Sequence, residues 1–287
     1  MKFWQSLTFA EIDRLVELAK ICEEVGFHGV FVSDHVVHPE TFEPAYPYSP
    51  DGRPMFDSQT PWPDPWVAIA AMATATRQLR FTTGVYIAPL RHPLEIAKTV
   101  GITSLLSGGR TALGAGIGWM KEEFEILGRD FRTRGKRMDE CIDVLRRAWT
   151  GETFDYKGEY YSIPRVTMSP APAAKVPIYI GGASIAALRR AARNDGWFSN
   201  GSDPDEVAGI VSQLKAFRDE QGCDGPAFEV IVALTSPVDL DQIRRFEDLG
   251  VTGLISYPLN FTIGPDATLD QQREALENYA NEVIANY

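Results

Sequence analysis

Apolar positions along the chain follow two alternating rhythms. Short runs rich in β-branched and aromatic residues suit strands, and longer stretches with apolar residues three and four apart suit helices. The first rhythm predicts eight strands, at Lys2–Leu7, Gly29–Val32, Leu79–Ile87, Thr111–Gly116, Val176–Ile180, Gly196–Ser199, Phe228–Leu234 and Gly253–Ser256. The second predicts helices between them. One carries Ile12, Leu15, Val16, Ala19, Cys22 and Val25, and another runs from Pro93 through Leu94, Ile96, Ala97, Val100, Ile102 and Leu105. Further helices are expected at Trp66–Thr76, Arg134–Trp149, Ile185–Arg193, Asp205–Glu220, Leu240–Leu249 and Thr268–Ile284. Boundary signals agree with this division. Thr8 to Glu11 matches a capping box, Gly26 and Ser107-Gly108-Gly109 are stops, and Asp203-Pro204 pairs an N-cap with a first-turn proline.

Strands alternating with helices form right-handed parallel βαβ units. Eight of them point to a (β/α)8 barrel built as a single domain over residues 1–287, rather than an open sheet. An internal echo supports this. CEEVGFHGVFVS at Cys22–Ser33 and FEDLGVTGLISY at Phe246–Tyr257 share a helix end, two spaced glycines and an apolar strand. Two segments stand outside the repeat. Gly151–Lys175 has hairpin-like pieces and reads as an insertion. Val36–Pro65, rich in proline and carrying Tyr46, Tyr48, Phe56 and Trp62, is either a substrate-facing loop or a surface excursion.

A net charge of −11 opposes nucleic acid and anionic membrane surfaces, so an anionic ligand needs local help. Cys22, Cys141 and Cys223 are far apart with no Cys-x-x-Cys spacing, and Cys22 and Cys141, in helical patterns, read as buried thiols. No apolar run approaches a membrane span and no signal peptide is visible, which suggests a cytoplasmic protein.

In a parallel barrel the chemistry sits where strands run out at their C-terminal ends. Gly181-Gly182-Ala183-Ser184, after a strand and before a helix, is either a phosphate cradle or a tight turn with Ser184 as N-cap. Arg189 lies close enough in sequence to help hold an anion there. Gly114-Ala115-Gly116-Ile117-Gly118 lacks dinucleotide-fingerprint spacing and suits close backbone approach to a flat ligand beside Trp119. Asp34-His35 is an acid–base pair, a hydrogen-bonding pair for a heteroaromatic ring, or a structural histidine. His28 and His38 read as surface residues in turns. Neither a metal centre nor a serine-hydrolase elbow is indicated.

FVSDH (Phe31–His35), TGVYIAPLRHP (Thr83–Pro93), LSGGR (Leu106–Arg110), LGAGIGW (Leu113–Trp119) and IYIGG (Ile178–Gly182) occur in that order. Together they resemble the bacterial luciferase-like monooxygenase superfamily, particularly its deazaflavin (coenzyme F420)-dependent oxidoreductases, over nearly the whole chain. The resemblance implies a flavin or deazaflavin ring at the barrel mouth. It would be framed by Asp34, His35, Thr83, Gly84, Val85, Gly116, Ile117, Gly118 and Trp119, with a non-proline cis peptide at Gly84–Val85. Gly181, Gly182, Ala183 and Ser184, with Asn200 and Gly201, would hold its phosphate. Phe56 and Trp62 would cover a small-molecule substrate, His35 would make the catalytic contact, and a homodimer is expected. One departure stands out. Where some deazaflavin dehydrogenases have an acidic Glu this chain has Trp119, with Glu122 and Glu123 a turn later, so no proton donor carries over. The resemblance thus implies hydride transfer between F420 and an organic substrate. The competing readings are an FMN-dependent monooxygenase, a non-catalytic flavin-binding protein and, last, a phosphate-binding isomerase or aldolase.

Overall fold

In the computed structural model, strands alternate with helices around a closed ring. The structure describes residues 1–287 apart from 42–45, 47, 48, 50, 51, 55, 200, 202, 224–227 and 265, and apart from the side chains of 260 and 261. The strands are β1 (Lys2–Ser6), β2 (Gly29–Val32), β3 (Arg80–Thr83), β4 (Tyr86–Ile87), β5 (Leu113–Gly116), β6 (Phe154–Lys157), β7 (Ser162–Val166), β8 (Ile178–Gly181), β9 (Gly196–Phe198), β10 (Glu229–Ala233) and β11 (Gly253–Ser256). The helices are α1 (Leu15–Glu24), α2 (Pro65–Ala75), α3 (Pro93–Leu106), α4 (Lys121–Ile126), α5 (Arg134–Ala148), α6 (Ile185–Ala192), α7 (Pro204–Glu220), α8 (Leu240–Asp248), α9 (Pro258–Phe261) and α10 (Leu269–Glu282). Among the described residues the main sheet runs β3-β2-β1-β11-β10-β9-β8-β5-β4, with every pairing parallel. This is a (β/α)8 barrel, with β3 and β4 as two halves of one interrupted strand. The expected run Leu79–Ile87 breaks at Gly84–Val85, whose peptide is cis.

The seam closes between β3 and β5. Phe81 N–H donates to Arg110 O and Ala112 N–H to Phe81 O, both at 2.9 Å. Thr83 Oγ1 donates to Gly114 O at 2.7 Å. Thr83 O presses so closely on Gly114 that no Cβ fits there.

Alternation along the strands separates two cores. Val30, Val32, Val230, Val232 and Leu254 pack outward against the helices, while Phe31, Ile231, Ala233 and Ile255 turn into the lumen with Trp4, Tyr179 and Phe198. Helix starts carry their own signals. Asp64 caps α2 by accepting from Trp66 N and Val67 N, and Asp203 caps α7 by accepting from Asp205 N and Glu206 N. The expected capping box at Thr8–Glu11 does not form. Phe9 takes a left-handed φ of 69°, and the Thr8 hydroxyl lies 2.8 Å from Ser33 Oγ instead. The insertion is the antiparallel β6–β7 hairpin, tethered by Glu140, whose carboxylate accepts from the amides of Glu159, Tyr160 and Tyr161. Among the described residues no helix is long and apolar enough to cross a membrane.

Candidate active site

The C-terminal end of β2 delivers Ser33, Asp34 and His35, and each side chain finds a different partner. His35 Nδ1 lies 3.1 Å from Glu123 Oε2. The other carboxylate oxygen, Oε1, accepts from Val36 N at 2.5 Å and from Val37 N at 3.5 Å. The Glu123 side chain is fully buried and that of His35 is 9% exposed. Glu123 reaches this position from α4, where Met120, Glu123, Phe124 and Leu127 share one face. Phe124 packs against Ile87 and Leu90, while Lys121 pairs with Glu125 on the outer face. A carboxylate thus occupies a slot in an apolar helical stripe. This pair was missed from the sequence, and the stripe is the signal that could have revealed it.

Aromatic rings wall the histidine. Trp62 meets it edge-on at 4.8 Å between centroids, Phe56 lies at 5.6 Å and Trp119 at 6.1 Å. Phe9 packs on Phe56 and Trp62, and Tyr46 on Phe56 and Trp119. The left-handed turn at Phe9 is therefore part of the same wall. Trp62 Nε1 is buried with no acceptor among the described residues. Tyr48 lies outside the described residues. His38 is half-buried and packs on Phe56 in this wall, and His28 packs edge-on against Trp4 at 5.1 Å near the opposite end of the barrel. Neither is the surface histidine expected. Burial, with the nearby charges of Lys2 and Arg80, lowers the His28 pKa to about 4.

The interrupted strand supplies the floor. A Cβ on Gly181 would stand 2.6 Å from Val85 Cγ1, and one on Gly116 would press closer still on Val85 Cγ2. The Val85 side chain therefore sits between the ends of β5 and β8, and these glycines make room for it. Gly84 N–H donates to Val32 O at 3.0 Å, and Gly84 O accepts from Ser33 Oγ at 2.9 Å. Gly84 itself abuts Phe31 and Phe198. Ile117 and Gly118 lead from this floor into α4. Gly118, at φ 79°, fits tightly against Ile87 and Phe124.

Three expected contacts are directed elsewhere. Asp34 is buried, with both oxygens on the Arg91 guanidinium at 2.5 and 2.8 Å and Oδ2 also accepting from Ile87 N. Burial pushes its carboxyl above the ordinary value, with Arg91 and the Ile87 amide pulling against it. Asp34 thus ties the interrupted strand to β2. The Thr83 hydroxyl is spent on the barrel seam. Arg189 lies over Phe217 and pairs with Glu220 at 3.0 Å, which occupies the guanidinium once expected near the glycine turn.

That turn remains open. Gly182, at φ 103°, passes its carbonyl to Trp197 Nε1 at 2.9 Å. Because C=O and N–H point oppositely across a trans peptide, this aims Ala183 N–H away from the buried indole. The Ser184 hydroxyl accepts from Ala187 N at 3.2 Å as the N-cap of α6. The amides of Gly182, Ala183 and Ser184 donate to no protein acceptor among the described residues. Gly201, at φ 95°, abuts Thr235, and Asn200 lies outside the described residues.

The luciferase-like monooxygenase family model matches residues 3–278. The chain is 38% identical over 287 residues to an uncharacterised protein of Mycobacterium tuberculosis, with 99% of each covered. It is 29% identical over 271 residues to an F420-dependent glucose-6-phosphate dehydrogenase of Nakamurella multipartita, covering 92% of this chain and 75% of that one. The fold is similar to an F420-dependent secondary alcohol dehydrogenase solved with an F420–acetone adduct (TM-score 0.80, 15% identity, 100% and 99% covered). It is equally similar to the monooxygenase RslO1 of Streptomyces bottropensis (TM-score 0.80, 19% identity, all of both chains covered).

Proposed function

The chain belongs to the luciferase-like monooxygenase family and is an oxidoreductase, and from that premise we propose that it moves hydride between coenzyme F420 and a small organic alcohol or its carbonyl partner. The observation that carries this reading is the His35–Glu123 pair inside an aromatic wall, above an apolar floor. A proton-handling group is what alcohol–carbonyl interconversion demands of the protein. A deazaflavin or flavin fits the residues present. Val85 offers an apolar platform, His35 a polar neighbour, and the Gly181–Ser184 turn offers amides without protein acceptors for a phosphate. Once bound, the cofactor supplies two-electron hydride chemistry.

The chain's own residues do the rest. His35 holds or accepts the substrate hydroxyl proton, and Phe56, Trp62 and Trp119 exclude water. Asp34 and Arg91 fix the interrupted strand, which would support the ring. Similarity to F420-dependent relatives favours the deazaflavin, with FMN as the other candidate.

Titrating the purified protein with F420 and FMN separately, followed by fluorescence, tests the assignment. F420 binding much tighter than FMN binding, with loss of the oxidised deazaflavin's absorbance on adding an alcohol, is expected. Tight FMN binding and substrate-dependent oxygen uptake would favour the monooxygenase reading instead. We further expect a homodimer, measurable by light scattering.

A further inference from the structure

The buried carboxylate opposite His35 does more than occupy space. We infer that Glu123 is a positioning residue that sets the tautomer of His35, keeping the proton on Nδ1 and presenting Nε2 to the substrate. This rests on the reading of His35 as the proton-handling group.

The two carboxylate oxygens have separate partners. Glu123 Oε1 is claimed by the Val36 and Val37 amides, which only donate, so that atom must be an acceptor. Oε2 faces Nδ1, and a carboxylate accepts there too, so Nδ1 carries hydrogen whether the ring is neutral or cationic. Nε2 is then the nitrogen that gains and loses a proton, and it has no protein partner among the described residues. In alcohol oxidation the C–H leaves as hydride to the oxidised deazaflavin, the O–H proton goes to Nε2, and the C=O forms. The reverse reaction returns both. Asp34, a charged neighbour that reaches the pair, is already bound to Arg91.

The same geometry makes Glu123→Gln an unusually specific probe. The Val36 and Val37 amides hold the amide oxygen, so the NH2 must face His35. That group donates, Nδ1 must accept, and the proton moves to Nε2. The volume is unchanged but the working nitrogen is reversed. The same logic governs the buried Asp→Asn change of the serine-protease triad, which leaves geometry intact and lowers turnover about 10⁴-fold.

Nitrogen-15 NMR of imidazole-labelled protein without cofactor reads the tautomer directly, with His35 assigned by its loss in His35→Gln. Wild-type protein should show a protonated Nδ1, and Glu123→Gln a protonated Nε2. With F420 bound at unchanged affinity, the variant should lose about 10²–10⁴-fold in turnover. An Nε2-protonated neutral ring in the wild type, which needs no variant to fold, would overturn the inference. So would an unchanged tautomer in Glu123→Gln, or a reversed tautomer with full turnover. Failure of F420 to bind would instead sink the cofactor reading, while the tautomer measurement still decides this one.

Discussion

Replacing Gly181 with alanine should damage the barrel mouth, and shortening Val85 should repair it. The added Cβ would stand 2.6 Å from Val85 Cγ1 but 3.7 Å from Val85 Cβ. Carbon atoms prefer about 3.5–4.0 Å, so only the first contact is a clash, by roughly 1 Å. Gly181 is not in the left-handed region, so backbone strain does not enter. Overpacking of this kind costs about 1–3 kcal/mol, offset by about 0.4–1 kcal/mol from a stiffer unfolded chain. The net loss should be about 1–2 kcal/mol, a fall of roughly 2–8 °C in Tm at the ~2–4 °C per kcal/mol typical of chains near this size. Val85→Ala alone loses about 1 kcal/mol of packing, but in the double variant the 2.6 Å contact no longer exists. Urea unfolding of the wild type, both single variants and the double variant should therefore give a favourable coupling of about 1–2 kcal/mol. Additivity within about 0.5 kcal/mol would refute the assignment of Gly181 as room for Val85.

Other perturbations test other parts of the structure. Asp34→Ala leaves the Arg91 guanidinium, 18% exposed, without its carboxylate, and should cost about 3 kcal/mol in denaturant unfolding. A loss under about 1 kcal/mol would show that the pair does not anchor the interrupted strand. His28 has a depressed pKa of about 4, so the unfolded chain binds more protons between about pH 6.5 and 4, and stability should fall as pH drops through that window. The full shift corresponds to roughly 3 kcal/mol, reduced to about 1–2 kcal/mol by partial exposure. His28→Gln should flatten that part of the curve, and an unaltered slope would remove the histidine from the account. Ala183→Asp adds a carboxylate to the exposed glycine turn and should weaken F420 affinity about tenfold or more while leaving Tm within a degree or two. Equal affinity in the folded variant would move the phosphate site elsewhere.

The barrel was legible because its two periodicities are clean. Each strand at Gly29, Gly196 and Gly253 starts with the glycine that the pattern predicts, and Asp203-Pro204 caps its helix as read. The break inside Leu79–Ile87 was not legible from periodicity, since Val85, Tyr86 and Ile87 continue the β-rich composition of Phe81, Thr82 and Thr83 on the far side of Gly84; only the resemblance pointed there. The Thr8 capping box failed because a tertiary partner, Ser33, competes for the hydroxyl. At the site, residue types near strand ends suggested ligand contacts that the fold spends internally. Gly116 and Gly181 accommodate Val85, Thr83 closes the seam, and Asp34 binds Arg91. The converse holds for Glu123, which nothing in the sequence set apart from Glu122 and Glu125 in KEEFE until its helical face was known.

The bond from Trp197 Nε1 to Gly182 O gives the protein a built-in spectroscopic reporter. The indole is wholly buried, so solvent does not broaden its signal, yet its acceptor belongs to the same peptide group as the outward-facing Ala183 N–H. An anion bound to that N–H polarises the peptide and strengthens its carbonyl as an acceptor. In protein labelled with fluorotryptophan, the Trp197 resonance should therefore shift when phosphate-bearing cofactor occupies the turn. Trp66, equally buried but packed against Tyr86 on the helical side, serves as the internal reference in the same spectrum.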